Sequence, residues 1–164
     1  MQNTERLTYP TNITEESLNE LWQNCFEGVA NQQHINAYVP YPITRQATLN
    51  QFLLNQNGYR VWFIKRLSEA DIIGFLIHGD FFPGHPNNIG FNIGFEYTNR
   101  GYAREALGAL VEQLRLEGLT ETSGHCFETN VASIHTMEGC GFVNLGRTGR
   151  EYFGNHEIQL HISL

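Results

Sequence analysis

Apolar residues near the start of the chain recur at helical spacing, Leu18, Leu21, Trp22, Cys25 and Phe26 forming one stripe. Thr14 precedes that stripe as an N-cap, and Glu15 and Glu16 suit the positive end of the helix dipole. Ahead of it, residues 4–9 read as a short strand. After the turn at Pro40 and Pro42, Thr44 can cap a second helix, with Leu49, Phe52 and Leu53 on its buried face and an end near Asn57 and Gly58. The period then changes. Residues 59–65 and 71–78 are rich in β-branched and aromatic side chains and are separated by a polar turn, which predicts an antiparallel hairpin. A loop of Pro and Gly, residues 81–88, leads into a strand over 89–95.

Helical periodicity returns with Ala103, Ala106, Leu107, Leu110, Val111 and Leu114, which line one face of a long helix stopping at Gly118. Beyond it, 123–129 reads as a strand, 132–138 as a short helix ended by Gly139, and 142–152 with 157–163 as a closing hairpin. The strand, helix and strand across 89–129 are long enough for a parallel crossover, which is expected to be right-handed. These elements predict a mixed α/β fold, with a mostly antiparallel central sheet, one parallel βαβ crossover and helices on both faces. No linker or internal repeat divides residues 1–164, so one domain is expected.

A chain of 164 residues, 41% hydrophobic and 12% aromatic, can bury a core without disulfides or a structural metal and is not a disordered chain. No apolar run approaches a membrane span, and the first residues carry no export signal, so a location in the cytoplasm is expected. Ten Lys and Arg against seventeen Asp and Glu leave a net charge of −7, which argues against nucleic acid as a partner. Cys25, Cys126 and Cys140 are odd in number and lack paired spacing, as expected of reduced packing residues. His156 and His161 are five apart, not the four that a helical zinc motif requires, and His34, His78, His85 and His135 are scattered; no metal is expected.

Residues 89–107 carry the most specific chemistry: a strand, a tight polar turn, and a glycine at the mouth of an amphipathic helix. Unpaired N–H groups at a helix start, together with the macrodipole, form an anion site suited to a phosphate or pyrophosphate. Gly101 permits close backbone approach, and Arg100 and Arg104 can supply charge. The alternative is a helix whose start simply carries glycine and arginine. Neither a Walker A loop nor a dinucleotide fingerprint occurs.

The chain resembles the GNAT acetyltransferases, and among them the RimJ/RimL-like ribosomal-protein N-acetyltransferases. Thr4 to Leu7 is similar to the opening strand of that branch. Ile89, Gly90 and Phe91, and then Thr98, Asn99, Arg100, Gly101, Tyr102 and Ala103, resemble its strand and acetyl-CoA pyrophosphate loop. Asn130 to Ser133, Met137, Glu138, Gly141 and Phe142 resemble its closing motif. Thr98 departs from the Gln or Arg usual at the first loop position.

The resemblance implies transfer of an acetyl group from acetyl-CoA to a primary amine, either a protein N-terminus or a small amine, by direct attack in a ternary complex. It places the cofactor on Ile93, Gly94, Phe95, Thr98, Asn99, Arg100, Gly101, Tyr102, Ala103, Arg104, Asn130 and Ser133. The oxyanion donor would be a backbone N–H within Ile93 to Phe95. His125 matches the position of a base in several family members, with an unperturbed pKa of about 6.5, and its alternative is a strand histidine satisfying a carbonyl. Glu128 and Glu96 are reserve bases. Met137 stands where many members have an acidic tyrosine, which leaves Ser133 to hydrogen-bond the thiolate or merely to cap the short helix. Tyr38, Tyr41, Trp22 and the loop from Phe81 to Pro86 are candidate walls of the acceptor pocket. An acyl-CoA sensor of the same fold is the rival reading, and a homodimer is left open.

Overall fold

The computed structural model describes residues 1–36, 44, 45, 58–81, 84–152 and 154–164. Among them, seven strands form one sheet: β1 (Leu7–Thr8), β2 (Tyr59–Arg66), β3 (Ile72–Gly79), β4 (Asn88–Ile93), β5 (Glu121–Phe127), β6 (Val143–Tyr152) and β7 (Asn155–Ser163). Their order across the sheet is β1-β2-β3-β4-β5-β7-β6. The helices are α1 (Glu15–Cys25), α2 (Gly28–Asn36), α3 (Tyr102–Leu116) and α4 (Val131–Glu138). The sheet is antiparallel except where β4 meets β5.

Helix α1 begins where Thr14 and Ser17 cap reciprocally: the Thr14 hydroxyl accepts from the Ser17 N–H at 3.2 Å, and the Ser17 hydroxyl from the Thr14 N–H at 2.9 Å. Its buried Leu18, Leu21 and Cys25 pack with Phe26 on Val61, Phe63, Ile72 and Ile77 of the β2/β3 hairpin. Because side chains alternate along a strand, Trp62 and Ile64 face the other way. There α3 lays Ala106, Leu107, Leu110, Val111 and Leu114 on Ile89, Ile93, Ile158, Leu160 and Ile162. The sheet therefore separates two apolar layers. On the α1 side of β5 and β7, alternation presents Ser123, His125, Gln159 and His161, a polar surface.

The parallel ladder is short. It pairs only Asn88 with Ser123 and Ile89 with Gly124. Beyond those pairs β4 stays with β3 as far as Ile93, and β5 stays with β7 as far as Phe127. Each strand keeps its outer partner, and the two part at the centre of the sheet.

Several elements differ from the sequence expectation. The first strand is two residues long because Thr4 turns back on Leu7, its N–H donating to Leu7 O at 3.0 Å. The strand expected to reach residue 95 stops at Ile93, and Phe95–Tyr97 form a single 3₁₀ turn. Helix α2 was not anticipated: its segment carries no apolar stripe, and Val29 is 74% exposed. The second helix expected after Thr44, with Leu49, Phe52 and Leu53, lies outside the described residues apart from Thr44 and Arg45. No helix among the described residues is long and apolar enough to cross a membrane.

Leu107 is fully buried under α3, whereas Leu116 on the same helix is 66% exposed. Leu107→Ala is expected to lower unfolding free energy by about 2–5 kcal/mol in urea titrations, and Leu116→Ala to change it by no more than about 0.5 kcal/mol.

Candidate active site

The loop after β4 enters α3 through two left-handed residues, Asn99 at φ 60° and Gly101 at φ 81°. Gly101 is the N-cap and has no side chain to occupy the helix's first N–H groups, so those of Tyr102, Ala103 and Arg104 point outward uncapped. The first helical bond runs from Glu105 N–H to Gly101 O at 3.0 Å. A bare N-terminus on a helix of 15 residues is a favourable place for a phosphate group. The Thr98 hydroxyl is tied locally, donating to Phe95 O at 2.8 Å.

Arg6 is the cation at this loop that sequence reading missed. Its Nη1 donates to Arg100 O at 3.0 Å, its Nε to Glu105 Oε2 at 2.6 Å, and its guanidinium lies 4.6 Å from the Tyr102 ring centre. Thr4 donates to the same carboxylate, which holds Glu105 ionised despite partial burial. Arg104, expected to supply charge here, lays its guanidinium on Gly139 at the C-terminal end of α4. The partial negative charge of that helix end accounts for the preference. The exposed Arg100 remains at the loop.

The three backbone positions expected to provide an oxyanion donor are not equivalent. Gly94 N–H donates to Ile73 O at 2.9 Å, and Phe95 N–H to Asn31 Oδ1 at 2.8 Å. Both are committed. Since Gly94 N–H faces β3, alternation turns Ile93 N–H towards β5, past the end of the parallel ladder and into the gap.

At the start of α4, Asn130 is the N-cap, its Oδ1 accepting from Ser133 N–H at 3.1 Å. Ser133 is thus not the cap, and it is half-buried. Met137 is 2% exposed and belongs to the core. Glu128, a reserve base, is forked onto Arg147 at 2.8 and 2.9 Å, a geometry that fixes both carboxylate oxygens. The other reserve base, Glu96, is exposed on the 3₁₀ turn.

His125 faces a cavity of about 400 Å³ on the polar surface of β5 and β7. Its Nδ1 lies 3.0 Å from Oδ1 of the buried Asn88. An amide oxygen only accepts, so Nδ1 carries the proton and Nε2 keeps its lone pair. The His85 ring, from the loop before β4, stands 3.8 Å from it, centre to centre. His85 Nε2 is in turn 3.3 Å from Glu157 Oε1, and Thr148 donates to Glu157 Oε2 at 2.8 Å. Burial, and then the neighbouring His85, push the His125 pKa down to about 4, with Arg150 opposing the pull of Glu157. Burial lowers His85 as well. His125 is therefore neutral at pH 7 and does not titrate near neutrality as its unperturbed value implied, and it presents a hydrogen-bond acceptor of low basicity.

Among the expected wall residues, His85, Gly84 and Pro86 line this cavity, whereas Trp22 stacks on Phe26 at 5.5 Å. Tyr38, Tyr41, Phe82 and Pro83 lie outside the described residues. Among the described residues no three His, Cys, Asp or Glu are grouped to hold a metal.

The acetyltransferase (GNAT) domain family matches residues 11–143. An uncharacterised N-acetyltransferase, YycN, of Bacillus subtilis strain 168 is 36% identical over 89 residues, 51% of this chain and 55% of its own; the chain thus spans about half the length of this curated relative. A GNAT-family acetyltransferase structure from Bacillus anthracis superposes with a TM-score of 0.81 at 20% identity, covering 98% of this chain and 96% of its own. RimL, a ribosomal L7/L12 alpha-N-protein acetyltransferase, gives 0.81 at 15% identity over 99% and 93% of the two chains. Its complex with coenzyme A gives 0.78 at 15% identity over 99% and 97%.

His78 shares the acid shift of His125 and is likewise pushed down to about 4 by burial. Their folded pKa values lie below the unfolded value of about 6.5, so their contribution to stability is present above that pH and is lost as pH falls towards 4. Folding stability is expected to drop across this window in urea titrations, and the His125 imidazole to titrate near pH 4 by NMR; a midpoint near 6.5 would contradict the environment described.

Proposed function

The chain belongs to the GNAT acetyltransferase domain family, and from that premise we propose that it transfers the acetyl group of acetyl-CoA to a primary amine in the cytoplasm. The observation that carries this reading is the uncapped start of α3 behind Gly101, placed at the mouth of the gap between β4 and β5. The pyrophosphate would lie on the backbone of Thr98 to Arg104, aided by Arg100 and Arg6. The pantetheine arm would follow the gap, with Asn130 and Ser133 near the sulfur.

The amine nitrogen attacks the thioester carbonyl, a C–N bond forms, and the C–S bond breaks to release the thiolate. Ile93 N–H supports the carbonyl oxygen as it gains charge, since Gly94 and Phe95 are already bonded elsewhere. Ser133 is half-buried in the first turn of α4, and its hydroxyl would donate to the departing sulfur. His125 Nε2 accepts a hydrogen bond from the attacking amine and passes the surplus proton on, directly or through water.

The low basicity of His125 bears on the acceptor. Deprotonating a lysine amine at pH 7 costs about 4.6 kcal/mol, whereas an α-amine near pKa 7.8 costs about 1 kcal/mol. A site with a neutral, weakly basic imidazole favours the α-amine.

Calorimetry with acetyl-CoA and turnover against a panel of amines test the reading together. Coenzyme binding with turnover is expected. Gly101→Val forces a branched side chain into the left-handed region and is expected to weaken coenzyme binding at least tenfold while far-UV circular dichroism is retained. His125→Ala should lower kcat about a hundredfold with the acetyl-CoA affinity intact. Binding without turnover of any amine would favour a non-catalytic acyl-CoA sensor, and no binding would remove the coenzyme assignment.

A further inference from the structure

The β6/β7 ladder loses register between Arg147 and Glu151, where the β6 strand bulges. A bulge re-aims the side chains it carries. Here it sends Arg150 across to the loop before β4, where its Nη1 donates to His85 Nε2. Gly84, at φ 80°, lies against this crossing: a Cβ there would stand 2.6 Å from Arg150 Nη2 and push the guanidinium aside.

The guanidinium is thereby placed on the wall of the cavity that His125 faces, and it is the one Lys or Arg among the described residues of the lining. Its partner is a neutral imidazole, and among the described residues no carboxylate lies within salt-bridge distance of it. The neighbouring acidic groups have other first partners: Glu128 has Arg147, Glu151 has His156 at 3.7 Å, and Glu157 has Thr148 on one oxygen and His85 Nε2 at 3.3 Å on the other, so the imidazole stands between Glu157 and the guanidinium. Glu121, at the far end of the lining, faces His161 at 3.8 Å and is 69% exposed. On the β5/β7 face of the same cavity the Gln159 amide donates to Ser123 Oγ at 3.0 Å, and that hydroxyl lies 3.3 Å from His161 Nδ1, so the wall opposite Arg150 is polar and, among the described residues, carries no second Lys or Arg.

Resting on the acetyltransferase reading above, we propose that Arg150 is a specificity residue and that the acceptor is an α-amine carrying a carboxylate, bound with its anionic group on Arg150 and its amine towards His125. A polycation would meet the guanidinium with like charge, whereas a carboxylate gains a charge-assisted hydrogen bond there. The cavity volume suits an amino acid, a dipeptide or the first residues of a peptide. The carboxylate would then be either a free C-terminus or an acidic side chain close to the N-terminus.

The test is steady-state kinetics of the full chain with acetyl-CoA and matched acceptors. One arm compares a dipeptide acid with its C-terminal amide. The other compares amidated peptides beginning Ala-Asp and Ala-Asn. In at least one arm the wild-type enzyme is expected to prefer the carboxylate at least tenfold in kcat/KM, through KM more than kcat; the arm that discriminates identifies the source. Arg150→Gln is expected to bring that ratio to about one, and Arg150→Lys to retain part of it. A wild-type ratio near one in both arms, or one that persists in Arg150→Gln, overturns the proposal while leaving the transferase reading intact. Acetylation of no acceptor in either arm overturns the proposal, and the transferase reading falls with it only if the wider amine panel is not turned over either.

Discussion

The early end of the hydrogen-bonded ladder between β4 and β5 is the constraint on which the rest of the structure depends. A parallel pair normally runs on until one strand ends, because each further residue would otherwise leave backbone groups unmatched. Here each strand satisfies its outer edge, β4 on β3 and β5 on β7, and the inner edges diverge after Ile89 and Gly124. The result is a wedge whose walls are rigid strands and whose lining includes an N–H, that of Ile93, with no strand opposite. The loop from Gly94 to Gly101 then delivers the positive end of α3 to the mouth of the wedge.

The loop is held from outside its own segment. Glu105 in the first turn of α3 gathers Thr4, the Arg6 backbone N–H and the Arg6 guanidinium, so the start of the chain is clamped to the helix that bears the anion site. An acidic residue so close to a phosphate position would repel it if left bare. Paired with Arg6, its field is largely cancelled, and the net local charge is carried by Arg100 and the helix end.

The legible parts of the sequence were those with a period or a local rule. The α3 stripe, the β2/β3 hairpin and the glycine at the helix mouth all follow from spacing within a few residues. The placement of His125 on the polar surface of β5 follows from alternation once the strand is recognised. What the sequence hid was tertiary: Arg6 lies far along the chain from the loop it serves, and His125 is met by Asn88, at the start of β4, and by His85, from the preceding loop, whose composition signals only a turn. The acid shift of His125 arises from burial against a second imidazole, which no local pattern encodes. Helix α2 was hidden for the opposite reason, since its main tether is a single polar side chain and not an apolar face.

That tether is Asn31, 8% exposed, which donates to the carbonyls of Asn24 and Glu27 and accepts from Phe95 N–H. It joins the helical layer on one side of the sheet to the first residues of the loop that leads to α3. A shift of α2 relative to the loop would strain the bond from the Phe95 amide, and a rearrangement of the loop would act on α2 through the same bond. The two sides of the sheet are joined there, and thermodynamic reciprocity makes any communication through the joint run equally in both directions.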